Sequence, residues 1–379
     1  MRLSSNQIQT LKTRRLGIIC GGRSLEHEVS LNSAKWALEA AKAAGVNATL
    51  LWLSKNNQWY RVMDQEGFLK NPQQVAQLNL RAISPILADP EKQWQTLDNS
   101  EQGKLDIVFP VMHGLDGEDG PMQGLFQFWN VAFIGPNIRD AVISMHKAIT
   151  KTLLNAAGIK QVPWLVATNH ITSLPVSLPA DFTFPLFVKV SNGGSSIGVY
   201  KVKNNDELNA AIKKCWLLDR ECLIEKAIDG QEIEVAALIG DEVMVADPGE
   251  LEIFSDFYDY RSKYCDKGAS MPHDTANISD ELKNKIKATA KKVCEVLGAE
   301  GMTRVDFFVD KQGDFFVNEV NPIPGFTPIS LFPVLWQKAG LDPANLLLVL
   351  MQNALNRFNK KNDALKQMKK IAEEAMNHE

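Results

Sequence analysis

Thr303-Arg304-Val305-Asp306-Phe307-Phe308-Val309, then Asp310-Lys311-Gln312-Gly313, then Asp314-Phe315-Phe316-Val317-Asn318-Glu319-Val320-Asn321 is the stretch on which the reading of this chain turns. Both flanks are rich in β-branched and aromatic residues, and the glycine-containing centre is a hairpin signal. Side chains alternate between the faces of a strand. That groups Arg304, Asp306 and Phe308 on one strand, and Val317, Glu319 and Asn321 on its partner. With Gln312-Gly313 as the two turn residues, Asp306 faces Glu319 and Arg304 faces Asn321. Two directly opposed carboxylates repel each other unless a hard divalent cation sits between them. An asparagine carbonyl two residues along is a third oxygen ligand, and Mg²⁺ completes its shell with phosphate oxygens and water. The competing reading is an exposed polar sheet face.

A metal held by few protein ligands implies a polyphosphate to supply the rest, and three lysines are placed to meet one. Lys189 interrupts the apolar strand Leu186-Phe187-Val188-Lys189-Val190, where an unpaired ammonium is costly. Lys147 lies within a helical stretch from about Ile138 to Ala157, and Lys226 follows Cys222-Leu223-Ile224-Glu225. Any one of them also reads as a snorkelling side chain. Between Lys189 and a second strand, Ile197 to Val202, the tip Asn192-Gly193-Gly194-Ser195-Ser196 offers backbone N–H groups to phosphate, and it reads equally as a plain hairpin turn. It fits neither a Walker loop nor the dinucleotide fingerprint, and the Gly21-Gly22 loop fails the latter too.

Outward from these segments the chain divides into three regions and a tail. Residues 1–139 alternate short apolar runs with amphipathic helices: Leu16 to Cys20, a helix from about Val29 to Ala44, Thr49 to Leu53, and Leu105 to Met112. That pattern predicts an α/β domain on a doubly wound parallel sheet, with its site in the loops after the strands. Those loops hold Gly21 to Glu28 and His113 to Gly120. Residues 140–229 and 230–360 read as two α+β units, the second containing a polar, aperiodic stretch, Pro248 to Asn277, of the length of a lid or a disordered segment. Residues 361–379 form a charged tail with helical spacing.

Composition excludes several alternatives. A formal charge of −4 over 379 residues leaves no basic surface for nucleic acid. No apolar run approaches the roughly 18 residues that span a bilayer. The polar start, Met1 to Thr13, makes a poor signal peptide. Cys20, Cys215, Cys222, Cys265 and Cys294 form no CxxC pair, so they read as free thiols of a reducing compartment, the cytoplasm.

Seven pieces occur in the order and spacing of one family. They are Glu28-Val29-Ser30-Leu31-Asn32-Ser33; His113-Gly114 with Gly117-Glu118-Asp119-Gly120; Lys189 before Gly193-Gly194-Ser195-Ser196; Glu225-Lys226; Tyr258-Asp259-Tyr260 with Lys263-Tyr264; Arg304-Val305-Asp306; and Asn318-Glu319-Val320-Asn321 running into Pro324-Gly325-Phe326-Thr327. Over about Leu16 to Leu355 the chain resembles the D-alanine–D-alanine ligases of the ATP-grasp fold. The resemblance implies two α+β subdomains that clamp ATP, phosphorylation of one D-alanine carboxylate, and attack by the amine of a second D-alanine to give the dipeptide for peptidoglycan precursors. It also implies two Mg²⁺ (or Mn²⁺) ions and a homodimer.

Residue by residue, the resemblance implies Asp306, Glu319 and Asn321 as metal ligands. Lys147, Lys189, Ser196 and Asn318 would be on the nucleotide's phosphate side, with Glu225, Lys226, Ala227 and Ile228 along the adenine, Glu232 on the ribose and Phe308 against the base. Arg304 and the Gly325 N–H would stabilise the developing oxyanion. Glu28 would take the first D-alanine's ammonium with His113 close by, Ser195 and Tyr264 would join Glu28 in a closing trio, Lys263 would reach phosphate, and Ser330 and Leu331 would bind the second carboxylate. Two positions depart from the family pattern: Pro322-Ile323 after the metal-binding Asn, and His146 before Lys147. A D-alanine–D-lactate ligase, or another ATP-grasp carboxylate–amine ligase, is the alternative within the fold. Tyr264 favours the dipeptide, because depsipeptide-forming relatives tend to differ there.

Overall fold

The computed structural model describes residues 3–87, 89, 91–254 and 270–376, folded around three sheets. The first sheet has eight strands, in the order Gln102–Gly103, Trp94–Thr96, Leu80–Pro85, Trp59–Val62, Asn47–Leu53, Arg15–Gly21, Ile107–Pro110, Ala132–Phe133. The last four named are mutually parallel, and the others form an antiparallel meander. The expected doubly wound parallel sheet is therefore a mixed one. Parallel neighbours need a crossover, which the helices His27–Ala44 and Pro121–Phe128 supply. After Leu53 the chain turns straight back through Asn57, whose φ of 59° is left-handed, so an antiparallel strand follows.

The helix His27–Ala44 buries Leu31, Ala34, Ala37, Leu38 and Ala41 against that sheet, and Gly45 closes it in the left-handed conformation. The same core takes in Leu346, Leu347, Leu350 and Met351 from the C-terminal helix Pro343–Met376, so the end of the chain seals its beginning. Each such buried leucine stabilises the fold by about 2 kcal/mol. Beyond Lys360 the helix continues to Met376 with mostly exposed side chains.

The second sheet is antiparallel, in the order Val199–Val202, Leu186–Val190, Glu221–Lys226, Trp164–Thr168, and the helix Asn205–Cys215 packs on it through Leu208, Ala211 and Ile212. The single helix expected over 138–157 is two, Ile138–Met145 and Lys147–Ala156. The break is at His146, whose ψ of 91° is extended and whose ring accepts from the Ile149 N–H as an N-cap. An aspartate at this position would cap the same way, so the departure at His146 is absorbed locally.

The third sheet runs Ser270–His273, Gly249–Ile253, Gly230–Ile239, Gly301–Asp310, Phe315–Asn321, with Val243–Val245 also on Gly230–Ile239. The stretch 248–277, expected as a lid, thus contributes two paired strands at its ends. Residues 255–269, which carry Lys263, Tyr264 and Cys265, lie outside the described residues.

Arg304 pairs with Asn321 and Asp306 with Glu319, as the hairpin reading expects, but by a different route. The turn is one residue longer: Asp310 N–H donates to Asp314 O at 2.9 Å, and Gly313 at φ 83° completes a loop of Lys311, Gln312 and Gly313. Nearer the turn Phe307 pairs with Val317 and Phe308 with Phe316, so Asn318 is left over as a bulge that restores the register. The bulge corrects one expectation. Val317 is buried with Val305 and Phe307 on the opposite face from Glu319.

That opposite face, with Ile233, Val235 and Ala237, packs on the helix Asp280–Leu297. The other face carries Ala236, Leu238 and Met302 at one end, packed against the helix Leu331–Lys338, and Glu232, Glu234, Arg304 and Asp306 at the other. A single sheet face therefore passes from core to polar site along its length. Among the described residues no helix is long and apolar enough to cross a membrane, and Cys20, Cys215, Cys222 and Cys294 are buried free thiols.

Candidate active site

The polar end of that face collects charge in a confined space. Carboxylate oxygens of Glu232, Glu234 and Asp306 lie within 4.8 Å of one another. Arg304 forks onto both oxygens of Asp306, with Nε and one terminal nitrogen each at 2.7 Å, and its Nε is 3.0 Å from Glu234. Burial disfavours the Arg304 charge, but Asp306 and Glu234 outweigh it and hold the guanidinium well above its usual pKa. Asn321 donates its amide to Asp306 at 2.8 Å. Opposed oxygen donors of this kind suit a hard cation such as Mg²⁺. Glu319, across from Asp306, lies 3.8 Å from Lys147.

Lys147 also donates to the carbonyl of Gly193, tying the helix Lys147–Ala156 to the glycine tip. Lys189 reaches Glu225 at 2.7 Å and Asn318 at 3.4 Å. The bulge at Asn318 is what lets it face Lys189 beside Glu319, two consecutive residues on one side. Glu225 is gripped on its other oxygen by Lys151 at 3.0 Å, and all three side chains are nearly buried. Burial alone would raise the Glu225 carboxyl; the two ammonium groups overrule it and hold it below the usual carboxylate range. Lys189 sits above its ordinary value, since Glu225 and Glu319 outweigh burial, while burial lowers Lys151.

One of the three expected lysines is thereby corrected. Lys226 points to the far side of its strand, 3.5 Å from Asp181, because neighbours along a strand face opposite ways. The third cation beside Lys147 and Lys189 is Lys151, one helical turn after Lys147. Ala227 and Ile228 are half-buried in the link to the strand Gly230–Ile239, where Glu232 and Phe308 are directly paired.

On the N-terminal side the glutamate that meets Ser195 is Glu26, which accepts its hydroxyl. Ser195 and Ser196 hold left-handed φ values of 52° and 58°, which shape the tip toward Glu26. Gly114, φ 72°, leaves Glu26 its place: a Cβ there would stand 2.4 Å from a Glu26 oxygen. Glu28, expected in this role, lies on the exposed stripe of its helix with Asn32 and Glu39 and pairs with Lys55 at 2.6 Å. Residues one turn-fraction apart on a helix do not share a face, and Glu28 faces solvent.

His113 is buried and bonded through both ring nitrogens: Nδ1 to the Ile323 carbonyl at 3.2 Å and Nε2 to Ser33 Oγ at 2.8 Å. Burial disfavours the charged ring and lowers its pKa against the opposing pull of Glu26. Glu118, whose carboxyl burial raises well above the ordinary value, accepts the Gly114 N–H at 2.6 Å. Ser330 stands at the N-cap position of the helix Leu331–Lys338, its hydroxyl turned instead to Thr327 Oγ1 at 2.8 Å. A Cβ on Gly325 would stand 2.7 Å from Ser330 Oγ, so glycine lets the two approach. Helix N-termini favour carboxylates.

Five contributors escape a residue-by-residue sequence reading: Glu26, Ser33, Glu118, Lys151 and Glu234. Helical periodicity was the available signal for two of them. It places Glu28 on the polar stripe, and it puts Lys151 on the face of Lys147.

Comparison with known proteins identifies the family. Residues 15–136 match the family profile of the D-ala D-ala ligase N-terminus, and residues 153–352 that of the D-ala D-ala ligase C-terminus. The chain is 37% identical over 359 residues to D-alanine--D-alanine ligase A of Salmonella typhimurium, covering 93% of this chain and 98% of the relative. It is also 37% identical over 351 residues to D-alanine--D-alanine ligase A of Escherichia coli K12, covering 90% and 96%. The D-alanine-D-alanine ligase structure from Coxiella burnetii superposes with a TM-score of 0.86 at 31% identity, over 96% of this chain and 99% of that one. A D-Ala:D-Ser ligase from Enterococcus faecalis follows with a TM-score of 0.79 at 31% identity, over 90% and 99%. The chain belongs to the D-alanine–D-alanine ligase family, ATP-dependent enzymes of the ATP-grasp fold that join D-alanines for peptidoglycan synthesis.

Proposed function

We propose that the two α+β units clamp ATP over the polar face of the third sheet, and that Asp306, Glu319 and Asn321 hold two Mg²⁺ ions there. The observation that supports this most is the direct opposition of Asp306 and Glu319 across the strand pair, two carboxylates that Arg304 and Lys147 partly compensate and that a divalent cation would bridge. When bound, the metal would neutralise the transferring phosphoryl group and fix its line of approach. Lys147 and Lys189 face the phosphates beside Asn318 and Ser196, Glu225 to Ile228 and Glu232 accept the nucleoside, and Phe308 packs on the base. Phosphorylation of the first D-alanine's carboxylate makes an acyl phosphate that the second D-alanine's amine attacks.

Glu26, in place of Glu28, receives the first D-alanine's ammonium. The support is its bond to Ser195, which brings the glycine tip of the second unit onto the first. Tyr264 and Lys263, outside the described residues, keep the roles that the family resemblance implies for them. Arg304 and the Gly325 N–H face the oxyanion, an interaction worth about 3 kcal/mol per donor. Ser330 and Leu331 take the second carboxylate at a helix N-terminus. A cytoplasmic homodimer belongs to the same proposal, on the family resemblance.

Phosphate release from ATP and Mg²⁺ tests the substrates. D-alanine supports release and L-alanine does not, and D-alanine outcompetes D-lactate and D-serine as acceptor. Equal rates with D- and L-alanine would contradict the pocket, and a preference for D-lactate or D-serine would move the chain to the alternative specificity.

A further inference from the structure

The loop that carries Gly325 is held from both sides. On one side the carbonyl of Ile323 receives His113 Nδ1, and on the other the Phe326 N–H reaches Ser33 Oγ at 3.4 Å. A carbonyl can only accept, so Nδ1 must carry the proton. In the neutral ring Nε2 then accepts, and the Ser33 hydroxyl is its donor at 2.8 Å. Ser33 is fully buried in the helix His27–Ala44, and His113 lies near the start of the loop after Ile107–Pro110. Three segments far apart in sequence are thus tied by one hydroxyl that accepts from Phe326 and donates to His113. The charged group facing the imidazole is Glu26, and the buried Glu118 carboxyl interacts with Glu26 in turn.

We propose that Ser33 is a positioning residue of the ligase reaction: the Ile323 carbonyl selects the Nδ1–H tautomer of His113, the Ser33 hydroxyl holds the ring at Nε2, and together they fix the loop that presents the Gly325 N–H to the reacting carbonyl. His113 then serves the site by holding this loop, with both ring nitrogens committed to protein partners. Pro322-Ile323, the departure from the family pattern beside Asn321, is where the grip is applied. The inference rests on the ligase reading for its kinetic arm alone.

Three measurements test it. ¹⁵N-labelled histidine spectra of the full chain, with His113 assigned by its absence in His113→Gln, show a neutral Nδ1–H ring. In Ser33→Ala the Nε2 resonance shifts as its hydrogen bond is lost, while Nδ1 stays protonated against the Ile323 carbonyl. In kinetics Ser33→Ala lowers kcat about ten-fold, the worth of one well-placed hydrogen bond, with the KM for ATP unchanged. His113→Asn, whose amide keeps the donor to Ile323, retains more kcat than His113→Gln, whose amide reaches only Ser33. A wild-type kcat in Ser33→Ala, an Nε2–H ring in the unaltered protein, or the reverse order of the two His113 variants would each overturn the proposal. Absence of D-alanine-dependent turnover in the unaltered protein would instead remove the ligase reading, and the tautomer would still decide the Ser33–His113 bond.

Discussion

Asp140 gives the account a quantitative handle far from the chemistry. It lies fully buried in the helix Ile138–Met145, accepting the Ser144 hydroxyl at 2.9 Å and the Glu300 N–H at 2.9 Å. Burial pushes its carboxyl from 3.8 up to about 7, against the help of those two donors, and Glu300 adds repulsion that Arg357 partly offsets. The folded-state value is the raised one. Asp140 therefore contributes its full stability below pH 3.8 and loses it as pH rises through about 7. At about 1.4 kcal/mol per pH unit, the whole displacement is worth about 4 kcal/mol, and the part lost between pH 5 and pH 8.5 is about 3 kcal/mol. Asp140→Asn is close in shape to the protonated acid and does not titrate. Urea unfolding of both proteins at pH 5, 6.5 and 8.5 gives the difference directly. The variant's advantage grows by about 3 kcal/mol across that range and levels off above about pH 8. An advantage independent of pH would refute the buried, proton-holding Asp140.

Two further substitutions separate neighbouring residues with different duties. Glu26→Gln lowers kcat/KM for D-alanine by about 10- to 100-fold, the 1.5–3 kcal/mol of a hydrogen bond to a charged group, whereas Glu28→Gln stays within about two-fold of the unaltered protein. Steady-state rates over a D-alanine series measure both, and equal losses would return the role to Glu28. Lys151→Met leaves Glu225 with one cation and costs about 3 kcal/mol of stability by urea unfolding, together with a raised KM for ATP. An unchanged stability and KM would show that Lys189 alone satisfies Glu225.

The strands were legible where the apolar pattern was dense. Leu186–Val190 falls where its apolar run puts it, and Asp306 does face Glu319. What escaped was irregular backbone. The three-residue turn and the bulge at Asn318 cancel in register at Asp306, yet together they move Val317 to the other face. A two-residue period carries no mark of a bulge, because one inserted residue leaves the composition of both flanks unchanged. The break at His146 was hidden for a related reason, since apolar spacing runs on across it while one extended ψ angle redirects the chain. Glu28 was preferred to Glu26 through motif order, where the helical face would have chosen otherwise. Buried ion pairs such as Lys151 with Glu225 join residues 74 positions apart, from 151 to 225, and no local pattern records that contact.

The ribbon of Gly301–Asp310 and Phe315–Asn321 carries the central claim, and manganese reports on it most directly. Electron paramagnetic resonance titration of Mn²⁺ in the presence of ADP should show two tightly held ions per chain. In Glu319→Ala, with its circular dichroism and urea midpoint preserved, at least one of them is released and turnover is abolished. Equal Mn²⁺ uptake by both proteins would contradict the assignment of Asp306, Glu319 and Asn321 as the metal's seat.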